Sequence, residues 1–206
     1  NKLVHQPKNT PLWSSLIELP NAYIVPGGRF REMFYWDSYF TIIGLLESDK
    51  ASLALGMIEN FAFLIDRFGY IPNGNRSYFL NRSQPPFFAA MLKAYGQVHG
   101  FDSIKRFTPQ LKQEYQYWMD LRRVRLKHGF LNRYFGVQEV ARAEAFDKET
   151  RWAQGLCEDK RRHFFRNLRA ACESGWDFSS RWYADAMEKQ SIDTICLLPV
   201  DLNSLM

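Results

Sequence analysis

The chain has 206 residues and a net charge of +5, with 46% apolar and 24% charged residues. That balance suits a globular protein, and no run of about 18 apolar residues is present to form a membrane span. Its three cysteines (Cys157, Cys172, Cys196) include no C-x-x-C pair and its four histidines are scattered, so neither a disulfide framework nor a metal site is supported.

Residues 1–25 hold no strong period, and Pro7, Pro11 and Pro20 predict an extended lead-in. A Pro-Gly-Gly turn at 26–28 follows. From about Asp37 the pattern is helical, with Phe40, Ile43 and Leu46 on one face and Asp37 placed as a cap. Residues 50–68 form the clearest helix. Ala54, Met57, Ile58, Phe61, Ile65 and Phe68 recur at helical spacing, and Gly69 ends it. Residues 71–77 read as a loop with Asn73-Gly74 as its turn. Such a pair often marks a hairpin, but the long helices on both sides argue against one here. Pro85 and Pro86 are expected in the first turn of the next helix. Phe88, Met91, Leu92 and Tyr95 line its buried face and Gly100 closes it.

Thr108-Pro109 opens a further helix with Leu111, Tyr115 and Trp118 at core spacing. Residues 129–144 read as irregular, and residues 160–172 as a helix with Phe164, Phe165 and Leu168 on one side. Two basic clusters, Arg122, Arg123, Arg125, Lys127 and Lys160, Arg161, Arg162, Arg166, Arg169, read as solvated helix faces. No nucleic-acid-reading module accompanies them. Pro199-Val200-Asp201 looks like a helix entrance with Asp201 as cap, and about one turn follows it. The expectation is a fragment, residues 1–206 forming part of a catalytic domain whose C-terminal part is missing. The fold class predicted is all-α, an array of αα-hairpins with a site on the loops at one end.

Residues 173–182, ESGWDFSSRW, stand apart. Gly175 breaks any helix through them, Trp176 and Trp182 flank a lone carboxyl at Asp177, and Glu173 and Arg181 lie four residues to either side. A carboxyl beside an indole on irregular backbone is how a general acid is made, because low dielectric raises its pKa. The other reading is a plain N-cap. Aromatic residues make up 16% of the chain, much of it near loops. That suits stacking on a ligand, with filling of the core as the alternative. Arg29, Trp36, Asp37, Asn73, Arg82, Gln84, Arg142, Glu144 and Asp177 all fall near helix ends. Guanidinium and carboxylate groups can each grip neighbouring hydroxyls, at roughly 1.5–3 kcal/mol per charge-assisted bond.

Three ungapped blocks carry a resemblance: PGGRFREMFYWDSYF at 26–40, IPNGNRSYFLNRSQPPF at 71–87 and SGWDFSSRW at 174–182. They resemble signature blocks of the trehalases, and the likeness runs from about residue 16 to 206. The resemblance implies an (α/α)6 toroid, of which this chain is about half. It implies an inverting glycoside hydrolase cleaving α,α-trehalose to two glucose molecules without a cofactor, with Asp177 as general acid. By the same likeness Arg29, Trp36, Asp37, Asn73, Arg82, Arg142, Glu144 and Gly175 bind the sugar, and Gln84 is expected to join them from its place among the polar loop residues. The sequence departs from the family around Arg142 and Glu144, where EVARAEA replaces a run like DTPRPES. The family's QWDxPxGW block and its later basic glutamate are not in the sequence. The alternatives are a catalytically incomplete fragment that at most binds sugar, and a toroid α-glucosidase acting on longer glucans. The partner expected is a disaccharide, with no membrane or nucleic acid. The compartment, periplasmic or cytoplasmic, stays open. The sequons at Asn75 and Asn81 are read as accidental.

Overall fold

A computed structural model describes residues 2–4 and 14–206. Pro7 and Pro11 of the expected lead-in lie outside the described residues. The elements are mostly helical, and the chain divides into two compact units.

The first unit holds residues 1–79 and 86–117. Strands β1 (Lys2–Val4) and β2 (Tyr23–Val25) pair antiparallel, with Leu3 opposite Ile24. Helices α1 (Tyr35–Glu47) and α2 (Ala51–Phe68) form an αα-hairpin turned through Asp49 in the left-handed region. α2 is the helix its periodicity predicts. Ala54, Met57, Ile58, Phe61 and Ile65 are buried, and Gly69 caps it at φ +86°. Asn60 is also buried on α2. Its amide accepts from the Asn21 N–H (2.8 Å) and donates to the Asn21 carbonyl (2.9 Å), tying the lead-in to the helix.

α1 departs from expectation. It starts two residues earlier, so Asp37 lies in its first turn and Phe34 is the cap. Its buried face is Tyr35, Ser38, Ile42 and Leu45, while Phe40 is 61% exposed. The reason is the anchor at the start: Tyr35 is fully buried and its N–H bonds to the Asn73 carbonyl (3.2 Å), which rotates the helix away from the Phe40 register.

Asn73-Gly74 is not a primed turn. Neither residue takes positive φ, and Gly74 bridges to Phe34 instead. A Cβ on Gly74 would come 3.1 Å from the Phe79 ring, so the glycine answers a close approach. α3 (Phe88–His99) begins after the two prolines, which lie ahead of its first turn because Phe87 is the cap. Its buried face and the Gly100 stop are as read from the sequence. On α4 (Thr108–Asp120) Trp118 is buried, but Tyr115 is exposed and Glu114 takes the neighbouring inward position.

The second unit holds residues 80–85 and 118–206. Residues 129–144, expected to be irregular, begin with a strand: β3 (Arg123–Leu126) and β4 (Gly129–Asn132) make an antiparallel hairpin with Arg125 opposite Phe130. Its turn uses Gly129 at φ +115°. The first basic cluster therefore rides on a hairpin rather than a helix, and Arg122 is buried. Short α5 (Phe146–Trp152) precedes α6 (Glu158–Glu173), the longest helix of this unit. α6 buries Phe164, Phe165 and Leu168 as predicted, and it also buries Arg169, which had been placed on a solvated face. Segment 135–140 runs hard against α6: a Cβ on Gly136 would sit 2.5 Å from the Arg166 carbonyl oxygen. α7 (Val200–Leu205) is capped by Pro199, with Asp201 in its first turn rather than at the cap. Asn203 returns to the hairpin, accepting from the Asn132 N–H (2.7 Å) and donating to its carbonyl (2.9 Å).

Candidate active site

In the second unit the loop after α6 presents Asp177. α6 ends at Glu173, and Gly175 takes φ +71° to turn the chain, a conformation that favours glycine. Ser174 Oγ accepts from the Trp176 N–H (3.1 Å), and the Trp182 indole N–H donates to the Trp176 carbonyl (2.8 Å). Trp182 is buried, whereas Trp176 is 46% exposed under the Arg181 guanidinium (4.8 Å). Asp177 starts no helix of its own: only a short 3-10 turn, Ser180–Trp182, follows, so the N-cap reading fails.

The structure brings Arg82, Arg142 and Glu144 to Asp177. Arg82 is buried and bonds to Glu144 (2.7 Å), sixty-two residues away in sequence. Arg142 is buried and held from behind by Glu149, which is fully buried and accepts from the Arg142 N–H (2.8 Å) and from its Nε (2.5 Å). Glu144 therefore spans two arginines, at 2.7 Å from Arg82 and 3.5 Å from Arg142. Arg169, buried beneath, donates to the Val140 carbonyl (2.8 Å) in the segment that leads to Arg142. Burial and the neighbouring Arg82 pull its pKa down to about 10.

Asp177 keeps solvent contact, yet the protein around it desolvates the carboxyl and raises its pKa. Arg142, Arg82 and a hydrogen bond from the Cys172 thiol pull the other way, and Glu144 pushes it up. Cys172 is itself buried, and burial lifts its thiol to about 12, so it remains a donor. Desolvation by the surrounding protein is the larger source of the rise, with Glu144 adding to it.

The remaining predicted residues divide as follows. Gln84 is buried beside Arg82, in the same unit as Gly175. Arg29, Trp36, Asp37 and Asn73 belong to the first unit. There Arg29 is exposed over the Phe30 ring (5.1 Å). Glu32, three residues on, bonds to Arg76 (2.8 Å). Trp36 and Asp37 are half-buried, and burial raises the Asp37 carboxyl. Asn73 is buried. Asn75 is buried too, and its amide is spent on Met33, Ile17 and Tyr23, which leaves its sequon inaccessible. Sequence reasoning missed Glu149 and Arg169. From their helices Glu149 holds Arg142 and Arg169 holds the Val140 carbonyl, and neither has a local motif to mark it. Among the described residues no group of three or more His, Cys, Asp or Glu is placed to hold a metal. No helix among them is long and apolar enough to cross a membrane.

A carboxyl whose pKa is raised, set among paired arginines and carboxylates on loops between helices, has the makings of a site for a polyhydroxylated substrate. It offers bidentate partners for hydroxyls and an acid for a bridging oxygen. A trehalase family profile matches residues 1–206, and the chain belongs to the trehalase family. It is 47% identical over 217 residues to a periplasmic trehalase of Xanthomonas oryzae pv. oryzae, covering 100% of this chain and 38% of that protein. A periplasmic trehalase of Pseudomonas aeruginosa is 47% identical over 97% of this chain and 39% of its own length. Among solved structures, neutral trehalase from Saccharomyces cerevisiae matches with a TM-score of 0.67 at 32% identity, covering 89% of this chain and 37% of that one. The likeness agrees with the helical-hairpin class read from the sequence. The chain spans about two fifths of the length of the curated relatives it matches.

Proposed function

We propose that the whole protein to which this chain belongs is an α,α-trehalase, hydrolysing trehalose to two glucose molecules with inversion, and that Asp177 is its general acid. The observation that carries this reading is the Asp177 carboxyl on the loop after α6, set among Arg82, Arg142 and Glu144, within a family match that covers the whole chain. An acid must hold its proton at the working pH to deliver it to the glycosidic oxygen. Desolvation favours that protonated form. Arg82, Gln84, Arg142 and Glu144 are assigned to the sugar hydroxyls, together with Gly175 on the acid loop. Arg29, Trp36, Asp37 and Asn73 are assigned to the same substrate by family position.

Inversion needs a second carboxylate that activates water on the opposite face, roughly 6.5–9.5 Å from the acid. This reading assigns it to the part of the relatives' length that this chain does not span. Under it residues 1–206 form part of one catalytic domain. Taken alone they should be almost inactive under this reading, since lack of the base costs about 10²- to 10⁴-fold.

The test is Asp177→Asn in the whole protein. Glucose release from trehalose should fall by at least about 10²-fold, and the first products of the intact enzyme should include β-glucose beside α-glucose, seen by proton NMR. Unchanged turnover in the variant refutes the assignment. Faster hydrolysis of maltose than of trehalose by the intact enzyme would instead place it among α-glucosidases of longer glucans.

A further inference from the structure

Glu173, the last residue of α6, has no part in the chemistry just assigned, yet its side chain is fully buried and its acceptor capacity is heavily used. Arg122 grips it with two donors, Nε (3.0 Å) and Nη2. Two further bonds come from backbone. Ser83 N–H donates to Oε1 (3.0 Å) and Phe135 N–H to Oε2 (3.0 Å). Ser83 lies between Arg82 and Gln84. Glu173 lies two residues before Gly175 and four before Asp177. One carboxylate therefore joins the segment assigned to the sugar hydroxyls, the start of the acid loop and the segment after β4.

An ion pair with Arg122 alone would not explain this arrangement. Buried ion pairs are often replaceable by apolar residues without loss of stability. What an apolar residue cannot do is accept two backbone N–H groups from segments 90 and 38 residues away in sequence. We infer that Glu173 is a positioning residue, whose carboxylate holds the Arg82–Gln84 segment in register with the Asp177 loop without touching substrate. The inference rests on Asp177 being the acid. A displacement of about 1 Å in such a constellation costs on the order of 10²-fold in rate.

The experiment uses the whole protein, with Glu173→Gln, which replaces one acceptor oxygen by a donor amide, and Glu173→Asp, which keeps the ion pair but draws the carboxylate back. The second stands in should the first not fold. Kinetic constants are taken per folded molecule, alone and in an Asp177→Asn background. The expected result is a kcat about 10- to 100-fold lower, with KM changed by less. In the Asp177→Asn background Glu173→Gln should cause no further fall, because the residual turnover no longer passes through the acid. Wild-type kcat in a folded Glu173 variant, or an equal fall in both backgrounds, overturns the inference and leaves the acid assignment standing. Wild-type turnover of Asp177→Asn itself overturns both.

Discussion

Glu114→Gln is predicted to stabilise this chain near neutral pH, by a margin that grows as pH rises. Glu114 lies on α4 at 3% exposure, and its carboxylate meets the Tyr35 hydroxyl, which donates to it while accepting from the Phe88 N–H (2.8 Å). No cation is paired with it among the salt bridges of the described residues. Burial lifts its carboxyl from an ordinary 4.5 to about 8, the Tyr35 bond offsetting part of the rise. Burial and the same carboxyl also push Tyr35 well upward. The folded state therefore holds a proton that the unfolded chain releases above its ordinary value. Between about 4.5 and 8 the native state binds more protons, so stability falls as pH rises through that window and levels off above it. At about 1.36 kcal/mol per unit, the full span corresponds to about 5 kcal/mol, of which about 3 kcal/mol is lost by pH 7. Glutamine keeps the shape and an oxygen to accept from Tyr35, and it does not titrate. Urea unfolding of wild type and Glu114→Gln at pH 5 and pH 7 should show the difference moving in the variant's favour by about 2–3 kcal/mol. A difference that stays constant across those pH values refutes the reasoning, because Glu114 would then be ionised in the fold.

Two further perturbations bear on the second unit. Gly136→Ala would set a Cβ 2.5 Å from the Arg166 carbonyl oxygen and 2.9 Å from the Arg169 Cβ, so segment 135–140 must move off α6. A loss of about 1–3 kcal/mol is expected in chemical denaturation, and an unchanged midpoint would show that the segment has slack. Glu144→Gln removes the charge that raises Asp177 and frees Arg82 and Arg142 to lower it. The alkaline limb of the whole protein's pH–rate profile should shift to lower pH, and a shift to higher pH would contradict the network described.

Local pattern was enough for α2, α3 and α6, and for the glycines that end the first two. A run of apolar residues at helical spacing buries one face in whatever fold it joins, and Gly69 and Gly100 stop helices by backbone freedom alone. The resemblance marked Asp177 and the residues around it without showing how they meet. What the sequence alone could not determine was every place where an ionisable group goes inside. Glu114 replaced Tyr115 at an inward position, and Arg122 and Arg169 left the surfaces to which their basic clusters assigned them. Such burial depends on partners far along the chain: Tyr35 for Glu114, Glu173 for Arg122, and the Val140 carbonyl for Arg169. A charged side chain is stable in a core only when those partners arrive together. Residue spacing records a periodic apolar face, whereas only the tertiary structure decides which distant donor meets which carboxylate.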